Sequence, residues 1–357
     1  MKLTTIVLLA IVSAVTALPQ GKAAQPDNDN FRFVGRVNPE TRELTWPSTG
    51  VIFTFEGTRA SINIQNVTGT TSADLTIDGG EPILIANVDG DSIDTPSLPE
   101  GTHTVELRKR SETYFGTFRV KDVTTDGQFL PPPDPKRRIE VIGDSHSVGY
   151  GLDGVFPCTD SALVQNNPKT YGAVTARALE ADYSVVAWSG KGLIRNYASS
   201  PPDTSPAMPV MYTRYGANDA DGSYTFPRTW TPDAVVIALG TNDFSYLGVR
   251  EPVDPAELVK AMVALVQKVH GKYPEAQFFL LSSPALGDDY PSVEDAQRST
   301  QIKVLKESVA RLCGIKAHFV EWPQQGADVG CDYHPNAATN AIGAKNLTAA
   351  IKLALGW

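Results

Sequence analysis

The sequence predicts two domains of different architecture: a jelly-roll-like all-β sandwich over residues 31–130, then a three-layer α/β/α domain with a parallel sheet over residues 138–357. Three observations predict this. From Phe31 to Val123 the chain is a series of short alternating runs broken by turn residues, with no convincing helical period. Further on, apolar strand runs alternate with helical patterns, which builds a parallel sheet covered on both faces. Between the two, Pro131-Pro132-Pro133-Asp134-Pro135 cannot continue a sheet ladder and reads as a stiff linker over residues 131–137.

In the first half, Val51 to Phe55 and Ala60 to Ile64 are strand-like, with Glu56-Gly57 between them. Ala73 to Ile77 runs into Asp78-Gly79-Gly80 and Pro82 to Ile85 follows at once, a hairpin signal. Thr102 to Arg108 and Tyr114 to Val120 complete the set. In the second half, strands are expected over Ile139 to Ile142, Tyr183 to Ala187, Ala234 to Leu239, Gln277 to Leu281 and Ala317 to Glu321. Helices are expected over Thr170 to Leu179, Pro255 to His270, Val293 to Leu312 and Ala337 to Leu355.

Composition narrows the function. The 357 residues are 41% hydrophobic and 20% charged, as in a folded soluble protein with room for two cores. A net charge of −9 argues against nucleic acid or an anionic membrane as partner, and neutral or weakly charged substrates fit better. Residues 1–17 read as a signal peptide: Lys2 supplies the positive start, Ile6 to Val12 the apolar stretch, and Val15-Thr16-Ala17 the cleavage site. Residues 18–30 read as a short disordered or pro-region, so a secreted, extracellular, monomeric protein is expected. Two sequons, Asn66-Val67-Thr68 and Asn346-Leu347-Thr348, are open to glycosylation if exposed.

In an open parallel sheet, functional groups gather beyond the carboxyl ends of the strands. The blocks found there are Gly143-Asp144-Ser145-His146-Ser147, Ser189-Gly190-Lys191-Gly192, Gly240-Thr241-Asn242-Asp243 and Cys331-Asp332-Tyr333-His334-Pro335. A hydroxyl, a glycine amide, a carboxamide and an imidazole thus converge on one rim, the set that acyl transfer needs. Ser145 is the candidate nucleophile and His334, among five histidines, the candidate base. The main-chain amides of Ser145 and Gly190 and the side-chain amide of Asn242 are candidate oxyanion donors. Asp144 and Asp243 read as caps or hydrogen-bond acceptors, and His146 is expected to point away from Ser145. Trp188 reads as core, with Trp322, Trp230 and Tyr150 as candidates for sugar stacking. No cysteine-histidine pair has metal-ligand spacing, and no cofactor is required.

These four blocks, in this order over Ile139 to Trp357, resemble the SGNH (GDSL-type) hydrolases, a family named for its Ser, Gly, Asn and His. The resemblance implies the roles just given for Ser145, Gly190, Asn242 and His334. Many members carry the triad acid three residues before the histidine, where this chain has Cys331. The preceding sandwich and the nearest carboxylate, Asp332, resemble carbohydrate esterase family two, a group of polysaccharide acetyl esterases. That likeness leaves two possibilities for orienting His334: the Asp332 carboxylate or a backbone carbonyl. It also implies a serine esterase that removes O-acetyl groups from plant-wall polysaccharides such as xylan or mannan, acting on acetylated polysaccharide or oligosaccharide through an acyl-enzyme. A lipase or lysophospholipase is the alternative within enzymes. A carbohydrate-binding protein with a degenerate hydrolase domain is the alternative outside them.

Three cysteines in an oxidising compartment should form one bridge and leave one thiol. Because the Ser145 and His334 loops must adjoin, Cys158–Cys331 is favoured over Cys313–Cys331, leaving Cys313 buried and free. The rate is expected to rise through roughly pH 5 to 7, the range in which an ordinary histidine loses its proton.

Overall fold

The computed structural model describes residues 30–357, and the leader segment expected before them lies outside the described residues. Ten strands come first: β1 (Arg32–Val34), β2 (Glu43–Leu44), β3 (Gly50–Gly57), β4 (Ala60–Gly69), β5 (Ala73–Ile77), β6 (Ile83–Ile85), β7 (Ser92–Asp94), β8 (Gly101–Lys109), β9 (Gly116–Thr125) and β10 (Gln128–Leu130). One antiparallel sheet runs β1-β3-β8-β5-β6, with β10 also paired to β3, and the other runs β2-β9-β4-β7. Alternate residues of each sheet face a shared apolar core: Phe53, Phe55, Val105 and Leu107 from the first meet Ile62, Ile64, Phe118 and Val120 from the second. The hairpin pairs Ala73 with Ile85 and Leu75 with Ile83. Strand β9 starts at Gly116 rather than Tyr114, because Phe115 N–H closes a turn on the Glu112 carbonyl at 3.3 Å.

The second half contains β11 (Arg137–Gly143), β12 (Ala181–Ala187), β13 (Ala234–Ala238), β14 (Gln277–Leu281) and β15 (Ala317–Val320), all parallel, in the order β12-β11-β13-β14-β15. Its helices are α1 (Ser145–Val148), α2 (Tyr171–Ala178), α3 (Met208–Met211), α4 (Pro255–His270), α5 (Gln297–Arg311) and α6 (Ala337–Leu355). Helices α2 and α6 cover one face through Tyr171, Ala176, Leu347 and Ile351. Helices α4 and α5 cover the other through Leu258, Met262, Val304 and Leu305. The chain leaves β11 in opposite lateral directions to reach β12 and β13, so the binding crevice opens at the carboxyl ends of these central strands. Helix α5 starts later than its pattern predicts. Ala296 takes φ 40°, and the Asp295 carboxylate is held by the Tyr246 and Ser292 hydroxyls, which ends the preceding loop in a turn.

The two halves are joined by far more than the proline segment. Arg36, from the sandwich, meets Glu140 of β11 at 2.6 Å with both side chains out of water. The second Glu140 oxygen accepts from Trp230 Nε1 at 2.6 Å, and the Arg36 guanidinium lies 3.7 Å over the Tyr224 ring. Arg110 joins Asp153 at 2.5 Å, and Trp46 Nε1 donates to the Tyr215 carbonyl at 2.9 Å. The Arg36 terminal nitrogens and both Glu140 oxygens have partners, so the buried pair holds register, and breaking one side strands the other charge. Glu140→Ala should therefore destabilise the whole protein by about 3–5 kcal/mol. A denaturant titration showing less than about 1 kcal/mol would contradict a structural role for this pair.

Candidate active site

Strand β11 ends at Gly143, which closes against the first turn of α1. A Cβ there would sit 1.9 Å from Ser147 Oγ, so only glycine lets the chain turn this tightly. Asp144 caps α1, its carboxylate accepting from His146 N–H at 3.1 Å. The reading of Asp144 as a cap thus agrees with its contacts. Ser145 takes the first helical position at the sheet's carboxyl edge, 6% exposed.

His334 Nε2 stands 2.9 Å from Ser145 Oγ. Its other ring nitrogen, Nδ1, lies 3.1 Å from the main-chain carbonyl of Asp332. Of the two candidates for orienting the imidazole, the main-chain carbonyl of Asp332 lies at Nδ1 and the Asp332 carboxylate, also a candidate triad acid, does not. Asp332 and Tyr333 adopt φ 49° and 62°, which turns the Asp332 side chain outward. Its Oδ2 there accepts from Tyr150 Oη at 2.9 Å and from Asp160 N–H at 3.1 Å. The Tyr150 ring stacks on His334 with centroids 4.1 Å apart. Burial first, and then His146, whose ring lies 5.7 Å away, bring the His334 pKa down from 6.5 to about 3. A neutral carbonyl at Nδ1 offers the imidazolium less than a carboxylate would.

A disulfide joins Cys158 to Cys331 with Cα atoms 4.7 Å apart, tying the loop after Ser145 to the loop that carries His334. The same loops exchange Cys331 N–H to the Gly151 carbonyl at 3.0 Å and Asp332 N–H to the Cys158 carbonyl at 3.1 Å. Cys313 is free but exposed, not buried. It follows the last turn of α5, where Leu312 takes the inward position.

Gly190 sits at the tip of a turn closed by Lys191 N–H on the Trp188 carbonyl at 3.3 Å. Its φ of 78° is that of the third residue of a type II turn, a place for glycine. Among the described residues, neither Ser145 N–H nor Gly190 N–H has a hydrogen-bond acceptor. Asn242 opens a short helical turn after β13, and its Nδ2 donates to the Lys191 carbonyl at 2.9 Å. The Asp144 carboxylate lies 3.4 Å from the same nitrogen, a long and weak contact. Asp243 braces the loop after Gly190, its carboxylate accepting from Leu193, Ile194 and Arg195 N–H at 2.7, 2.7 and 3.0 Å.

The sugar-stacking candidates fare unevenly. Trp322 is fully buried against Tyr171 and cannot reach a sugar. Trp230 is committed to Glu140, Tyr150 to His334, and Trp188 packs against the core as expected. His146 is buried, edge-on to Trp322, with its ring 5.7 Å from that of His334. Beside His334 an exposed pair does present its rings: Phe156 and Tyr333, 4.3 Å apart. Neither was singled out in the sequence, where no pattern places residue 156 next to residue 333.

The arrangement of sheet, serine and histidine defines a carboxylic ester hydrolase of the SGNH type. Residues 33–133 match the family described as Carbohydrate esterase 2 N-terminal, and residues 141–342 match the GDSL-like Lipase/Acylhydrolase family. The chain is 34% identical, over 84% of its length and 82% of the relative's, to an acetylxylan esterase / glucomannan deacetylase of Cellvibrio japonicus. It is 33% identical to the cellulase/esterase CelE of Acetivibrio thermocellus, of which it spans 40%. A solved carbohydrate esterase family 2 enzyme plus carbohydrate binding domain from Corynascus thermopiles (Myceliophthora fergusii) is 62% identical. That structure superposes with a TM-score of 0.90 over 92% of this chain and 100% of that one. The chain belongs to carbohydrate esterase family two.

The depressed His334 pKa replaces the sequence-based expectation of a rise between roughly pH 5 and 7. Only the neutral imidazole accepts a proton, so activity is lost as pH falls through the His334 pKa. We expect the acid limb of kcat/KM well below 6.5, toward about 3. A limb centred at 6.5 or higher would show a histidine paired with a negative partner.

Proposed function

We propose that this protein is a secreted esterase that removes O-acetyl groups from plant-wall polysaccharides such as xylan or mannan through an acetyl-serine intermediate. The observation that carries the reading is the 2.9 Å contact of His334 Nε2 with Ser145 Oγ beside two unpaired main-chain N–H groups. His334 takes the hydroxyl proton as Ser145 attacks the acetyl carbonyl, and the Asp332 carbonyl holds the imidazolium through Nδ1–H. Negative charge on the former carbonyl oxygen is met by Ser145 N–H, Gly190 N–H and Asn242 Nδ2, whose weak contact with Asp144 is the one exchanged. His334 then gives that proton to the departing sugar oxygen as its bond to the acetyl carbon breaks; a water deprotonated by His334 attacks the acetyl-enzyme, and Ser145 Oγ leaves by taking the proton back.

The names of the relatives support the polysaccharide substrate. One was solved in complex with cellohexaose, a family two esterase from Clostridium thermocellum that is 32% identical with a TM-score of 0.80. The exposed Phe156–Tyr333 pair supports it physically, since apolar ring faces suit the axial C–H surface of a sugar. The Cys158–Cys331 bridge supports passage through an oxidising compartment. The Asn66 sequon is exposed on β4, as glycosylation would need, whereas Asn346 lies in α6 with its amide on the Glu321 carbonyl.

Acetate release from acetylated xylan and glucomannan tests the reading. Ser145→Ala should fold normally and lose at least about a thousandfold in kcat. Acetyl esters should be preferred to decanoyl esters by at least about tenfold in kcat/KM. Retention of more than a few per cent of activity by Ser145→Ala removes the nucleophile, and equal rates on the two chain lengths favour a lipase.

A further inference from the structure

The sandwich touches the catalytic machinery at one carboxylate. Glu112 lies in the loop between β8 and β9, 2% exposed, with both carboxylate oxygens inside the second domain's territory. Oε2 accepts from Ser189 N–H at 2.9 Å, and Oε1 accepts from Gln165 Nε2 at 2.9 Å. Gln165 Oε1 returns a bond by accepting from Glu112 N–H at 2.7 Å. No residue of the second domain takes the Ser189 N–H among the described residues.

Ser189 is the second residue of the turn whose third is Gly190, with Trp188 and Lys191 closing it. In such a turn the central peptide carries the Gly190 N–H, and type I and type II forms differ by a flip of that peptide. The two forms point this N–H in opposite directions. Holding Ser189 N–H fixes the peptide before the one that can flip, and a charged acceptor makes that hold strong. We propose that Glu112 is a positioning residue for the oxyanion hole, locking the Trp188–Lys191 turn so that Gly190 N–H faces the substrate. This rests on the esterase reading above and gives the sandwich a part in the chemistry.

The same carboxylate reaches the other half of the site. Gln165 Nε2 also donates to Asp160 Oδ2 at 2.7 Å, and Asp160 Oδ1 accepts from Gly151 N–H at 2.8 Å. Asp160 N–H in turn binds the Asp332 carboxylate that holds Tyr150 against His334. One buried residue of the first domain therefore steadies the oxyanion turn directly and the histidine loop through two intermediaries.

The test compares wild type, Glu112→Ala, Ser189→Pro and the double variant, with Ser145→Ala as the inactive control. Proline has no N–H to be held; its ring fixes φ at the second position, and with Gly190 at positive φ in the third the pair suits a type II turn without the carboxylate. Glu112→Ala should lower kcat about ten- to a hundredfold, less than deleting a donor outright, with KM within about twofold. Its affinity for a boronate that forms a tetrahedral anion on serine should fall by a similar factor. The double variant should recover kcat to within about threefold of Ser189→Pro. If Glu112→Ala does not fold, Glu112→Leu fills the volume without an acceptor and serves the same comparison. A kcat and boronate affinity unchanged in folded Glu112→Ala, or a loss that proline does not restore, overturns the proposal. A wild-type protein without acetyl esterase activity would instead overturn the functional reading itself.

Discussion

A serine and a histidine separated by 189 positions must be held 2.9 Å apart, and most of the second domain's irregular chain exists to meet that requirement. Ser145 presents no difficulty, because it begins a capped helix directly after a central strand. His334 lies on a loop with no strand or long helix to hold it before α6. The loop is instead tied down by the Cys158–Cys331 bridge, by Gly151 and Cys158 carbonyls that accept its N–H groups, and by Tyr150 stacked on the ring. Each tie starts from the segment that follows Ser145. Ser145 and His334 are thus fastened to one stretch of chain, although they come from opposite ends of the domain.

The division of labour between the domains follows from the same requirement. The parallel sheet places Ser145 and Asn242 at the ends of adjacent strands, where ladder hydrogen bonds set their separation. The turn at Gly190 follows β12, laddered to β11 up to Ala187, and is braced further by Tyr197 N–H on the Gly190 carbonyl, by Asp243 on the loop after it and by Glu112 of the sandwich. The buried Arg36–Glu140 pair then holds the sandwich in register on β11, the strand that leads to Ser145. Contacts at the domain interface thus end at the strand that leads to Ser145 and at the turn that carries Gly190.

Much of this was legible in the sequence, for reasons that can be named. The bounds of α4 and α6 agree with their patterns because Asp254 and Asn336 cap them and Gly356 ends the last one. The first three blocks were visible because each closely follows an apolar strand, and the fourth because it leads into the strongly patterned α6. The strands β1, β2, β7 and β10 were not, being only two or three residues long, too short for any period to show. The outward turn of the Asp332 carboxylate depends on two consecutive residues at positive φ, Asp332 and Tyr333, which neither residue type advertises. Tyr150 and Glu112 act through partners far along the chain, Asp332 and Ser189 respectively, and only the fold reveals those pairings.

His334 is oriented by a main-chain carbonyl while the Asp332 carboxylate serves the loop. Asp332→Asn bears on this most directly, because asparagine keeps an acceptor for Tyr150 Oη and Asp160 N–H but removes the carboxylate. Steady-state kinetics on an acetyl ester should then give a kcat within about threefold of wild type, since the carbonyl at Nδ1 is untouched. A loss on the order of 10⁴-fold, as when a true triad aspartate becomes asparagine, would contradict the account.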